Sequence, residues 1–224
     1  MTGSHPGTST CHMLLSASPV LVPGVWGPFW SAVLPGSWLM EGGQSSTGGL
    51  LDHVITSHPA HPELRARARQ LGVSVYQALE EELVSLATAR GVPVSRLSRE
   101  LHMWPDYHGN RSGVNILHLN GMIMIQRRSS WNKNKQVLSA IHSPCRSPLA
   151  DPSLTGALVG LTLDTGLTGL ATLYLATVQA ICYGTRHIVD TVVAAGHSVT
   201  SLTVCGGLTN SNIFLQTQVK KSVI

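Results

Sequence analysis

Val199-Thr200-Ser201-Leu202-Thr203-Val204-Cys205-Gly206-Gly207-Leu208-Thr209-Asn210-Ser211-Asn212 is the stretch on which the fold turns. Val199 to Cys205 alternates β-branched and small residues and reads as a strand. Two glycines make the turn, and the run from Asn210 onward has helical spacing. Strand, glycine turn and helix in that order are the signature of an α/β layer. Small residues at the carboxyl end of such a strand let a flat ring or a phosphate lie close to the backbone. An ordinary strand-to-helix turn is the plain alternative.

Working outward, the preceding apolar stretch is a long helix from Thr168 to Ala195, stopped by Gly196. Leu158 to Leu163 is expected as a short buried strand, with Asp164 at its end or in the turn after it. Leu154 to Thr185 is long enough to span a bilayer. It carries Asp164 near its middle and the helix-weakening Gly156, Gly160, Gly166 and Gly169, so a buried strand and helix explain it better than a membrane span. Near the other end, Gly7-Thr8-Ser9 opens a region of short strands and tight turns running to Glu41, with Trp26, Trp30 and Trp38 in it. Gln44 to Ser57 reads as a helix, and Pro62 to Leu71 as another. A third begins at the capping box Ser74-Val75-Tyr76-Gln77 and runs to Arg90 before Gly91. Leu101 to Trp104 is a strand candidate.

The chain has 224 residues, of which 43% are hydrophobic and only 12% charged, against about 25% charged in average soluble domains. The net charge is +4, but residues 111–145 carry Arg111, Arg127, Arg128, Lys133 and Lys135 and no acid. That segment holds +5, leaving −1 for the rest, so the basic balance is not a property of the fold. No basic helix with interleaved aromatics is present, and nucleic acid is not an expected partner. Cys11, Cys145, Cys182 and Cys205 are widely spaced, which argues against a zinc site or a disulfide framework. A cytoplasmic location is the expectation.

Three motifs could carry chemistry. Gly7-Thr8-Ser9 offers backbone N–H groups and two hydroxyls to an anion. Glu41, before Gly42-Gly43-Gln44-Ser45, offers a carboxylate to sugar hydroxyls, or else an N-terminal helix charge. Gly206-Gly207 with Asn210, Asn212 and Gln216 offers a flat approach for a nucleotide. Asp52-His53, His58 with His61, and Asp106 with His108 form no catalytic or metal constellation, and no metal ligands are assigned.

Taken in order, these motifs resemble the C-terminal domain of an FGGY-family carbohydrate kinase, most nearly a pentulose kinase. Trp26-Gly27-Pro28, Glu41 to Ser45, Leu149-Ala150-Asp151-Pro152, Gly184-Thr185-Arg186-His187 and Cys205 to Leu208 carry the resemblance. It implies an α/β domain of the ribonuclease H-like, actin-like ATPase fold over residues 7–218, the C-terminal half only. By the same resemblance Gly7, Thr8, Ser9, Gly206, Gly207 and Asn212 would bind ATP, Glu41 would face a small sugar, and Mg²⁺ would accompany the nucleotide. The implied reaction passes the γ-phosphoryl of ATP to a hydroxyl of a pentulose such as D-ribulose.

The resemblance fails in three places. Residues 111–145 fit neither flank. Joining Gly109-Asn110 to Arg146-Ser147-Pro148 restores a continuous family segment, so 111–145 reads as an irregular, non-native insert. The family's base is an Asp just upstream of the Gly-Thr-Ser motif, and residues 1–6 hold no acid. By the same resemblance, an N-terminal domain bearing most sugar contacts is expected to be missing, and the chain is expected to stop inside the helix after the glycine turn. The expectation is therefore a fragment inactive on its own. A truncated nucleotide-binding or regulatory form, and a membrane-associated chain, are the alternatives. The choice of sugar and the oligomeric state stay open.

Overall fold

The structure is a computed structural model that describes residues 9–107, 118–119, 122–123, 148–149 and 155–222. Strands β1 (Thr10–Ser16), β2 (Trp26–Trp30) and β3 (Trp38–Gln44) form an antiparallel sheet in the order β1-β3-β2. Helices α1 (Thr47–Ser57), α2 (His61–Leu71) and α3 (Val75–Arg90) follow. After a 3-10 turn at Val94–Arg96 comes β4 (His102–Trp104). The small hairpin β5 (His118–Leu119) and β6 (Met122–Ile123) is all that is described of the expected insert 111–145, the rest of which lies outside the described residues. Then come β7 (Ala157–Val159), paired with β4, the 28-residue helix α4 (Leu167–Ala194), a 3-10 turn at Gly207–Asn210 and α5 (Asn212–Ser222).

Alternation decides the sheet. In β3, Met40, Gly42 and Gln44 face α4, while Glu41 and Gly43 point the other way, as period-two geometry requires. The register pairs Cys11 with Gly43, Met13 with Glu41 and Leu15 with Leu39. Those side chains share the outer face. On the inner face His12 Nε2 lies 2.9 Å from Thr185 Oγ1, and Gln44 Nε2 donates to the same oxygen at 3.0 Å. The β2–β3 ladder shifts register between Trp26 and Phe29. Gly27 sits there at φ 106°, with the Leu39 carbonyl only 2.5 Å from where a Cβ would stand, so only glycine fits.

Helix α4 is the spine. It buries Leu170, Tyr174, Leu175, Val178 and Ile181 against α1, α3 and α5, and Val192 against Met40 of the sheet. A helix apolar on so much of its circumference belongs inside a fold or a membrane. It is long and apolar enough to cross a bilayer, but 61% of its most apolar stretch is buried against the other elements. Asp164 lies outside it, accepting the Gly166 N–H at 2.9 Å in the turn that precedes the helix.

Helix α3 begins as its sequence dictates. Ser74 Oγ accepts the Gln77 N–H at 3.2 Å and Gln77 Oε1 accepts the Ser74 N–H at 3.0 Å. Its end at Gly91, φ 62°, closes the cap.

Two expected strands differ. Val199–Cys205 has no ladder partner among the described residues, and Ser201 to Thr203 are exposed. A strand exists by its neighbours, and β propensity alone does not supply one. Leu158 to Leu163 is not buried: only Ala157–Val159 pairs, on the two-stranded β4–β7 ribbon, and Leu161 and Leu163 face solvent. The helix expected from Gln44 starts at Thr47, because Gln44 still pairs with Thr10 in the sheet.

Candidate functional site

The chemistry-bearing motifs fall on two sides of the sheet. Gly7 and Thr8 lie outside the described residues. Ser9, just before β1, accepts the Ser46 N–H at 3.1 Å, and Thr10 Oγ1 lies 2.8 Å from Thr47 Oγ1. These contacts tie the start of the chain to the N-terminus of α1, where orphan N–H groups and the helix dipole favour an anion. Ser46 takes a left-handed conformation there, φ 55°.

Farther along α1, Leu51 and Asp52 line a cavity. The cavity has a volume of about 570 Å³. Its floor is apolar, made by Leu51, Val178, Tyr174 and Phe214. Its rim comes from the first turn of α3 and from Gly207, Leu208, Asn210 and Ser211. Gly206, at φ 99°, has open space where a side chain would stand, and directs Gly207 into the lining. Of the residues expected to bind nucleotide, Gly207 lines the cavity and Gly206 adjoins it. Asn212, the exposed first residue of α5, stands outside the lining, where Asn210 takes the place.

Hydroxyls and carboxylates of the cavity are paired. Ser211 caps α5, accepting the Phe214 N–H at 3.0 Å, and donates to Glu80 Oε1 at 2.5 Å. Tyr174 Oη lies 3.4 Å from the same hydroxyl. On the opposite rim Tyr76 Oη donates a short hydrogen bond to Asp52 Oδ1. Burial pushes the Tyr76 phenol far up, and the Asp52 carboxylate adds to the shift, so Tyr76 stays a neutral donor. Tyr174 is raised too, chiefly by burial. Sequence reasoning set Asp52 aside with His53 and read Tyr76 only as part of a capping box. They lie 24 positions apart, and no local spacing announces that α1 and α3 face each other across a cavity.

Glu41 stands elsewhere. It sits within β3, between Met13 of β1 and Trp26 of β2, on the face away from α4. The alternative of a helix N-terminal charge does not hold, since α1 has no acid in its first turn. Beside it, the Cys11 thiol is pushed up to about 11 by burial, with the neighbouring Glu41 carboxylate adding to it. Glu41 is thus a solvent-accessible carboxylate on an open sheet face, and it does not meet Gly207. A smaller cavity of about 250 Å³ between β4 and α4 contains Gln44, Asp106, Tyr183 and His187 but none of the expected ligand residues. Among the described residues no group of three metal-ligating side chains forms. His58 has a turn role, its Nδ1 accepting the Ala60 N–H at 3.1 Å.

Comparison with known proteins now bears on this geometry. The family model described as "FGGY family of carbohydrate kinases, C-terminal domain" matches residues 5–145 and 132–219. The chain is 44% identical over 210 residues to the FGGY carbohydrate kinase domain-containing protein of Xenopus laevis, covering 94% of this chain and 32% of that protein. It is 35% identical over 211 residues to a D-ribulokinase of Saccharomyces cerevisiae, covering 94% and 25%. It therefore spans about a third or less of the length of these curated relatives. The solved structure of xylulose kinase from Rhodospirillum rubrum superposes with a TM-score of 0.59 at 16% identity, over 95% of this chain and 31% of that one. The fold is thus the actin-like, ribonuclease H-like fold of the sugar kinases, and the chain belongs to the FGGY family of carbohydrate kinases as its C-terminal domain.

Proposed function

We propose that this chain supplies the nucleotide-binding half of an ATP-dependent pentulose kinase, with D-ribulose as the sugar class. The observation that carries the reading is the apolar-floored cavity between α1, α3, α4 and α5, with Gly207 in its lining. Leu51 lies four residues into α1 from Thr47, about 6 Å along an axis rising ~1.5 Å per residue. A purine on the Tyr174–Phe214 floor, with its phosphates extending toward the α1 N-terminus, is the arrangement this reading requires. The backbone at Gly206 and Gly207 would lie against the nucleotide, and Thr8 and Ser9 would donate to phosphate oxygens. Mg²⁺ would ride on the phosphates and water, as this ion usually does. The D-ribulokinase relative supports the sugar class. Glu41 would accept hydrogen bonds from the sugar across the open sheet face.

Phosphoryl transfer also needs a base for the attacking hydroxyl. No residue of this chain is assigned that role in this reading, and the chain spans a third or less of the length of its curated relatives. Tested alone in the cytoplasmic setting proposed for it, the 224-residue chain is expected to bind nucleotide without turning over sugar. Mg²⁺-ATP at a hundred times Kd should stabilise the folded chain by about 2.7 kcal/mol, visible as an upward shift of the melt. A cooperative melt that ATP leaves unmoved would sink the nucleotide reading. ADP release with D-ribulose at about 1–100 per second would sink the expectation of inactivity.

A further inference from the structure

We infer that Glu80 is a positioning residue for the nucleotide: its hydrogen bond to Ser211 sets the gap between the two rims of the cavity. This deepens the nucleotide reading above and rests on it. One rim is the N-terminus of α3, Ser74 to Gln77, and the other is the turn Gly207–Asn210 with Ser211. Glu80 stands one helical turn beyond Tyr76 on α3, and its Oε1 accepts the Ser211 hydroxyl at 2.5 Å. The bond therefore crosses from the helix behind one rim to the end of the other.

Ser211 passes that restraint to the glycines. Its N–H donates to the Leu208 carbonyl at 3.1 Å, and the Gly206 carbonyl accepts both the Thr209 N–H at 3.1 Å and the Thr209 hydroxyl at 2.7 Å. Gly206 to Ser211 is thus one hydrogen-bonded unit, with Leu208 packed against the core. The Ser211 hydroxyl is fully used. Its proton goes to Glu80, and its oxygen accepts the Phe214 N–H at 3.0 Å and faces Tyr174 Oη at 3.4 Å. It has no proton left for a ligand, so its part in binding is to hold the turn. Without Glu80 that proton loses its charged acceptor, and the rim that carries Gly207 is freer to shift against α3. A flat ring then enters a gap of variable width, and fixing that gap costs affinity.

The test measures ATP binding to the full chain and its variants by displacement of a fluorescent ATP analogue, alongside the melt without ligand. Glu80→Ala should weaken ATP by about tenfold, the scale of a hydrogen bond to a charged group. Glu80→Gln keeps an acceptor oxygen and should stay within about threefold of the unmodified chain. Ser211→Ala cuts the same tie from the other side. It should weaken ATP about as much as Glu80→Ala, and the double variant should lose no more than either. Glu82→Ala, on the same helix, removes the ion pair with Arg67 at 2.9 Å; it should lower the melt and leave ATP affinity unchanged. A Glu80→Ala chain that melts lower but binds ATP within about twofold of the unmodified one makes Glu80 merely structural and overturns the inference. So do losses that multiply in the double variant, or a Glu80→Gln chain as weak as Glu80→Ala. Should Glu80→Ala fail to melt cooperatively, Ser211→Ala alone decides by the same limits. A natively melting unmodified chain that binds no ATP removes the nucleotide reading itself, and the inference with it.

Discussion

The two faces of the β1-β3-β2 sheet are built on different terms. Behind the inner face, α1, α3, α4 and α5 close a cavity whose floor is deeply buried and whose hydroxyls are hydrogen-bonded. The outer face carries Cys11, Met13, Leu15 and Glu41 with no helix of the described residues packed over it; Met13 is 61% and Leu15 44% exposed. The difference teaches where each half of the proposed chemistry is specified. The cavity proposed for the nucleotide is lined by one packed core, so its shape follows from the folding of this chain. The Glu41 side is a surface, and a carboxylate on a surface discriminates little until something desolvates it.

The sharpest way to break the comparison is to damage one face and read the other. Leu170 is fully buried in α4, and Leu170→Ala should cost about 2–5 kcal/mol through lost burial and a residual cavity. Met13→Ala on the outer face should stay within about 0.5 kcal/mol. Urea midpoints of the two variants decide it, and equal losses would mean that the outer face is packed after all.

Next in size is the polar seam between sheet and helix. Thr185→Val is nearly isosteric, but it removes the oxygen to which Gln44 Nε2 donates at 3.0 Å. Gln44 is only 3% exposed, and its Oε1 already has no partner among the described residues. Leaving the buried amide wholly unpaired should cost about 1–3 kcal/mol. A loss near zero in the same urea series would show that water reaches the seam, and the contrast between dry and wet faces would weaken.

How much of this was legible in the sequence divides along the same line. Helix α3 was readable to the residue because its signals are local: Ser74 and Gln77 cap each other, and Gly91 ends it. The α4 spine was readable because so long an apolar run has few other uses. The Gly206-Gly207 turn was readable as a turn from its two glycines. The cavity itself was not. Asp52 and Tyr76 acquire meaning only once α1 and α3 are packed, and sequence spacing carries no trace of that. The Val199–Cys205 strand failed for the opposite reason: its local pattern is sound, but pairing depends on a neighbour that propensity cannot see.

A smaller effect tests the legible part. Ser74→Ala removes the hydroxyl side of the capping box and should cost about 1 kcal/mol. Because Ser74 also lines the cavity rim, ATP should recover part of the loss if the nucleotide orders the first turn of α3. The same loss with and without ATP would confine Ser74 to capping.

The smallest expected effect on stability, and the most direct probe of the outer face, is the chemistry of Cys11. Its thiol is raised from 9.0 to about 11 by burial and by the Glu41 carboxylate. The thiolate is the nucleophile, so alkylation of the folded chain at pH 8 should be slow beside that of Cys11 in the unfolded chain. The sign for stability follows. A thiol that holds its proton more tightly when folded contributes stability that is fully present below pH 9 and fades as pH rises through about 11. Glu41→Gln removes the carboxylate and leaves the burial, so the pKa should fall part of the way and alkylation should quicken. Cys182, raised to about 12 by burial alone, is the internal control and should not respond. If Glu41→Gln leaves the Cys11 rate unchanged, the two groups do not share the outer face as the β1–β3 register places them, and the position of Glu41 for sugar binding loses its structural support.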